Sequence, residues 1–135
     1  MNSREIKFRV WDKNKKKLIY NTNEIFLTID GRPHFWTGDN CLIQGKFWDY
    51  ENLVLQQFTG LKDKNNKEIY EGDVLIDVDL PYKPNALKVI FDGDTLQFRM
   101  DKINLHDCNL FFNLVKYGPK WEIIGNIFEN PELIK

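Results

Sequence analysis

From Glu5 to Asp12 the chain alternates, with Ile6, Phe8 and Val10 pointing one way and Lys7, Arg9 and Trp11 the other. A period of two predicts a half-buried strand. The polar run DKNKKK turns the chain, and Leu18–Asn21 returns as a second strand, so the two form a hairpin. Glu24–Asp30 is a third strand, closed by the turn signal Asp30-Gly31. RPHFW, residues 32–36, reads as a short edge segment, because Pro33 cannot donate to a central ladder. Residues 37–52 mix polarity around two glycines and predict an irregular excursion.

A second group of strands follows. NLVLQQFTGLKD, residues 52–63, is a strand turned by KNNK. In EIYEGDVLIDVDL, residues 68–80, Val74, Ile76 and Val78 alternate with Leu75, Asp77 and Asp79, which predicts a strand with one wet face. PYKPN breaks it. ALKVIFD and TLQFRMDKI flank Gly93 and make another hairpin, while residues 104–118 fit helix or strand equally well. KWEIIGNIF is a last strand. Asn130 before Pro131 marks a helix start with room for about one turn.

Roughly seven to nine short strands at regular turn spacing predict a mainly β chain, a small sandwich or partly closed barrel with a short C-terminal helical turn. An α+β arrangement stays open because of residues 104–118. One folded unit over residues 1–135 is expected, with an N-terminal β-meander over residues 1–40 as the alternative division.

Composition fits a globular chain: 42% hydrophobic, 14% aromatic and 29% charged among 135 residues. The formal net charge of −1 argues against coating duplex nucleic acid by charge alone. Its distribution is uneven. Residues 1–20 carry seven Lys or Arg against Glu5 and Asp12, and residues 61–80 carry three Lys against six carboxylates. A solvated face explains most such runs, but a basic end and an acidic middle can also attract each other between copies. The N-terminus lacks the apolar stretch of a signal peptide, and no run reaches the 18 or so residues of a membrane span. A reducing compartment is expected, since Cys41 and Cys108 form no CxxC pair.

Candidate chemistry is sparse. Glu71 and Asp73 flank Gly72 and could serve as an acid/base pair or metal ligands. The competing reading is a tight bend at Gly72 with Asp73 bonding the local backbone. Asp92-Gly93-Asp94 lacks the later oxygens of a calcium loop and reads as a hairpin turn. His106 and Cys108 show no orienting third group, and His34, Cys41, His106 and Cys108 have no zinc-finger spacing. No catalytic residue, metal or cofactor is therefore assigned. Arg4, Lys7, Arg9 and Trp11 interleave cations with an aromatic ring and are candidate contacts for single-stranded nucleic acid, provided that Trp11 faces outward. The acidic hairpin with Asp63, Glu68, Glu71 and Asp73, together with edge strands, offers a protein-contact surface.

Three blocks, REIKFRVWDKNKKKLIY, VLQQFTGLKDKNNKEIYEGDVL and WEIIGNIFENPELI, stand in the order and spacing of the YopX family, which the chain resembles over nearly its whole length. The central match falls on Thr59, Gly60, Leu61, Asp63, Ile69, Tyr70, Glu71, Gly72 and Asp73. The resemblance implies a mainly β, phage- or prophage-encoded protein of Gram-positive bacteria, working in the host cytoplasm. It brings no catalytic residues and no cofactor. It implies no activity; the missing catalytic set, the acidic hairpin and the edge strands lead instead to the expectation of a non-enzymatic accessory protein that binds a phage or host protein, or itself, with single-stranded nucleic acid as the alternative partner. One position departs: Asn66 stands where the family pattern has Gly, and Asn tolerates the left-handed backbone that a turn there needs.

Overall fold

The computed structural model describes residues 5–20, 25–27, 33–35, 52–78, 86–102, 112–113 and 120–134. The expectations for Arg4, Cys41, His106 and Cys108, for residues 37–51 and for most of 104–118 lie outside the described residues, as do the side chains of residues 25–27, 33–35, 102, 112 and 113.

The chain is mainly β, every strand pairing among the described residues is antiparallel, and a short 3-10 turn stands at Pro131–Ile134. It divides into two units, one of Lys7–Gln57 and one of Met1–Ile6 with Phe58–Lys135.

In the first unit, β1 (Phe8–Asp12) lies between β2 (Lys17–Tyr20) and the first half of β5 (Leu53–Lys62). A separate pair joins β3 (Ile25–Leu27) to β4 (Pro33–Phe35), with Leu27 opposite Pro33. The Lys13 N–H donates to the Asn52 carbonyl at 2.9 Å. The sequence predicts β1 to be half wet. Instead Arg9, Val10, Trp11 and Asp12 are all buried, so both of its faces are covered. β1 is paired on both sides, and its polar residues carry their own partners inward: Arg9 Nε donates to Gln56 Oε1 at 2.6 Å.

In the second unit, the end of β5 pairs with β6 (Glu68–Tyr70). A five-stranded sheet then runs in the order β10 (Phe112–Asn113), β9 (Gln97–Lys102), β8 (Leu87–Asp92), β7 (Asp73–Asp77), β11 (Trp121–Asn126). Its core face gathers Leu75, Leu87, Val89, Met100 and Trp121, with Ile69 from β6. These are the inward positions that a period of two supplies along each strand. The single wet face expected of β7 does not hold at its start. Val74 and Leu75 are both buried, because β7 is flanked by β8 and β11 and is covered on both faces there.

Candidate functional site

The family-like central block folds as a hairpin and a tight turn. Its bulge comes first. Between Phe58 and Lys62 the register of β5 on β6 shifts, and Gly60 takes φ 87°. Thr59 locks this bulge by donating its hydroxyl to the Ile69 carbonyl at 2.8 Å and accepting the Leu61 N–H at 3.2 Å. Leu61 then packs on the core.

Asp63 organises the loop that follows. Its Oδ1 accepts the N–H groups of Asn65 at 2.8 Å and Lys67 at 2.9 Å, and its Oδ2 accepts the Ile123 N–H at 3.2 Å. Lys64 N–H donates to the Trp121 carbonyl at 2.9 Å, and the Lys64 ammonium meets Glu122 at 2.6 Å. The loop thus lies along the outer edge of β11. Burial pushes the Asp63 carboxyl up, but the N–H donors of Lys67, Ile123 and Asn65 and the Lys67 charge outweigh it and hold it below the usual aspartate value. Asn66 sits at φ 65°, the left-handed conformation that the Gly-to-Asn departure requires.

Tyr70-Glu71-Gly72-Asp73 is the tight turn. Gly72 has φ 80°, and its N–H and C=O bond Val89 and Ile127 at 2.9 Å each. The buried Asp73 accepts the Tyr70 N–H on Oδ2 at 2.8 Å and the Asn126 side-chain amide on Oδ1 at 3.3 Å. The Tyr70 ring lies 5.4 Å from that of Phe58, and its hydroxyl donates to Glu68 at 2.8 Å. The structural reading of Gly72 and Asp73 is therefore what the geometry supports. As a contact surface the block needs correction: Asp63, Tyr70, Gly72 and Asp73 are buried, leaving Gly60 exposed and Thr59, Leu61 and Glu71 half-buried. Their carboxylates turn inward because backbone N–H groups at the turns need acceptors.

The two long-strand hairpins share one construction. Each has a four-residue loop between a paired Asp and its partner, Asp12 with Lys17 and Asp92 with Gln97. Asp12 Oδ1 accepts the N–H groups of Asn14 and Lys15 at 2.9 Å each; Asp92 Oδ1 accepts that of Asp94 at 3.1 Å. Asp92 also accepts the Thr95 hydroxyl and meets Arg99 Nη1 at 2.7 Å. The Thr95 hydroxyl leads the causes that hold its carboxyl low; burial opposes, and Asp94 N–H and Arg99 assist. The fourth loop residue is left-handed in both hairpins: Lys16 at φ 50° and Leu96 at φ 54°. Leu96 is 76% exposed, and nearby on β8 Phe91 is 45% exposed with its ring 5.3 Å from Phe98. Sequence reasoning passed over Leu96. The signal was there, an apolar residue inside the polar turn DGDTLQ.

The nucleic-acid contacts read from the sequence do not form a stacking platform. Trp11 is 6% exposed and Arg9 4%, with Arg9 bonded to Gln56 and lying over the Tyr20 ring at 5.7 Å. Lys7 is half-buried, and Arg4 lies outside the described residues. Among the described residues no three His, Cys, Asp or Glu side chains gather as a metal site, and no helix is long and apolar enough to cross a membrane.

No curated protein matches the chain. The crystal structure of protein EF1440 from Enterococcus faecalis is similar to it, with 31% identity, a TM-score of 0.62 and coverage of 98% of this chain and 100% of that one. The family described as YopX protein matches residues 7–135, nearly the full length and all three sequence blocks except the first three residues of the first. The chain belongs to the YopX family.

Proposed function

We propose that this is a phage-type accessory protein that acts in the host cytoplasm by binding another protein, without catalysis. Family membership supports the phage-type origin. The observation that carries the binding reading is Leu96, a highly exposed apolar side chain held in left-handed backbone at the tip of the β8–β9 hairpin. A turn selected for stability alone would place Gly or Asn there. Lys16 takes the same left-handed backbone in the β1–β2 loop, so the conformation belongs to the turn, and it is the exposed apolar side chains of Leu96 and Phe91 that carry the reading. Of the two carboxylates that could have formed an acid/base pair, Glu71 and Asp73, the second supports the same reading, since it is buried and already accepts hydrogen bonds from Tyr70 and Asn126.

The test is affinity capture of tagged protein from host lysate, with and without nuclease, run beside Leu96→Asn and Phe91→Lys. A nuclease-resistant partner retained by the parent and lost by both variants is the expected result. A captured set that is identical for parent and variants would end the assignment to this hairpin, and loss of all bound material on nuclease treatment would end the protein-partner reading.

A further inference from the structure

We infer that Asp63, Lys64 and Asn130 guard the outer edge of β11 against pairing with the β11 of a second copy of this chain. Among the described residues β11 ends the five-stranded sheet, with β7 on its inner side. Backbone groups of an end strand that face away from the sheet are a template for another strand. Those of Trp121 and Ile123 face that way. The Trp121 carbonyl accepts the Lys64 N–H at 2.9 Å, and the Ile123 N–H donates to Asp63 Oδ2 at 3.2 Å. Further along, the Asn126 N–H donates to Asn130 Oδ1 at 3.3 Å. None of these caps is a strand: Asp63 and Lys64 lie in the β5–β6 loop, and Asn130 precedes the 3-10 turn. They satisfy the polar groups of β11 without presenting a new ladder.

The guarded segment is built to pair. It reads Trp-Glu-Ile-Ile-Gly-Asn, with one charge among strand-forming residues. Ile124 is exposed on it, and so is Val78, whose N–H bonds the carbonyl of Lys120 just before it.

The outward groups also name the occupant. Trp121 and Ile123 stand two residues apart, so a second β11 running antiparallel sets Trp121 of one copy against Ile123 of the other. Each such pair exchanges two N–H···O bonds. The same residues serve on both sides, as a two-fold contact requires. In that register the Glu122 side chains of the two copies stand directly opposite, and like charges so placed repel. With the loop in place, the Lys64 ammonium meets Glu122 at 2.6 Å instead. The register shift between Ile123 and Gly125 then ends the regular edge. Backbone caps, charge and bulge act together, and removal of the first two opens the edge.

The test is light scattering on size-exclusion chromatography of the full-length protein over a range of concentrations, with hydrogen exchange on the same samples. The variant is Asp63→Ala/Glu122→Val, which removes the cap on Ile123 and the opposed charge. It keeps Leu96 and Phe91, so the outcome is independent of partner binding at the β8–β9 tip. Asp63 also holds its own loop, so a thermal melt checks the fold. A second variant, Lys64→Ala/Glu122→Val, leaves Asp63 in place and decides the matter if the first does not fold. The expected result is a mass that rises with concentration towards twice that of the parent, reached at higher concentration by the second variant. Exchange at Trp121 and Ile123 should slow as the mass rises, while parent exchange there stays independent of concentration. Folded variants that keep the parent mass at every concentration would overturn the inference. So would a rise in mass without slower exchange at Trp121 and Ile123, or a parent in which those two amides already become protected as concentration increases.

Discussion

The Asp63 carboxylate accepts the Ile123 N–H at 3.2 Å across sixty residues of sequence. The same side chain closes its own loop through Asn65 and Lys67. One carboxylate therefore sets a local turn and anchors that turn to the edge strand β11.

Asp63→Asn removes the acceptor for one of these donors, because the amide nitrogen cannot accept. A buried donor left unmatched costs about 1–3 kcal/mol. The pH dependence follows from the depressed carboxyl. A folded-state value below the unfolded one stabilises the fold above the ordinary 3.8 and is lost as pH falls through the folded value. Urea unfolding from about pH 6 down to about pH 2 should show the parent losing stability at the acid end, and a shallower loss in the variant. Parallel curves for the two proteins would contradict this role.

Asp73→Ala should cost more than loss of one bond. It strands the Tyr70 N–H and the Asn126 side-chain amide, both in buried surroundings. Two unmatched donors predict a loss of about 2–4 kcal/mol. Thermal melting reads it directly, and an unchanged midpoint would remove Asp73 from the construction of the turn.

What the sequence discloses depends on the distance between partners. Local signals were legible: the strands of both long hairpins, the Gly72 turn, the Asn66 position and the C-terminal turn all follow from residues within a few positions of one another. The bulge at Gly60 goes beyond the plain strand read over residues 52–63, although an isolated Gly within a strand is a known sign of one. Arg9 was not legible, since its partner Gln56 lies 47 residues away. Alternation alone assigns Arg9 and Trp11 to a wet face, whereas a charged side chain with a remote partner can be buried. The acidic hairpin misled for the same reason. Asp63 and Asp73 look like surface charge until their N–H donors are located.

Leu96→Asn should raise stability by about 0.5–1 kcal/mol, because Asn adopts the left-handed backbone at φ 54° more readily than Leu. Removal of a highly exposed apolar side chain should also improve solubility. If the β8–β9 tip is the contact surface, the gain comes with loss of partner capture, the usual trade between stability and function. Denaturant unfolding measures the first effect. A variant less stable than the parent would show that Leu96 packs in a way its exposure does not suggest.

Gly60→Ala and Gly125→Ala test two different reasons for a glycine. At Gly60 a Cβ meets nothing within 4 Å, and the backbone at φ 87° is the obstacle. The expected cost is about 1–2 kcal/mol, the left-handed penalty of an L-residue, with no change in neighbouring packing. At Gly125 the obstacle is space. An added Cβ would stand 2.5 Å from Asn130 Oδ1 and 2.7 Å from Leu133 Cδ1. Those atoms belong to the segment around the 3-10 turn, where Asn130 accepts the Asn126 N–H at 3.3 Å. Overpacking there should cost about 1–3 kcal/mol and release the end of the chain. Hydrogen exchange separates the two variants. Gly125→Ala should speed exchange at Asn126 and Leu133, whereas Gly60→Ala should leave both protected, and the same pattern in both variants would refute the distinction.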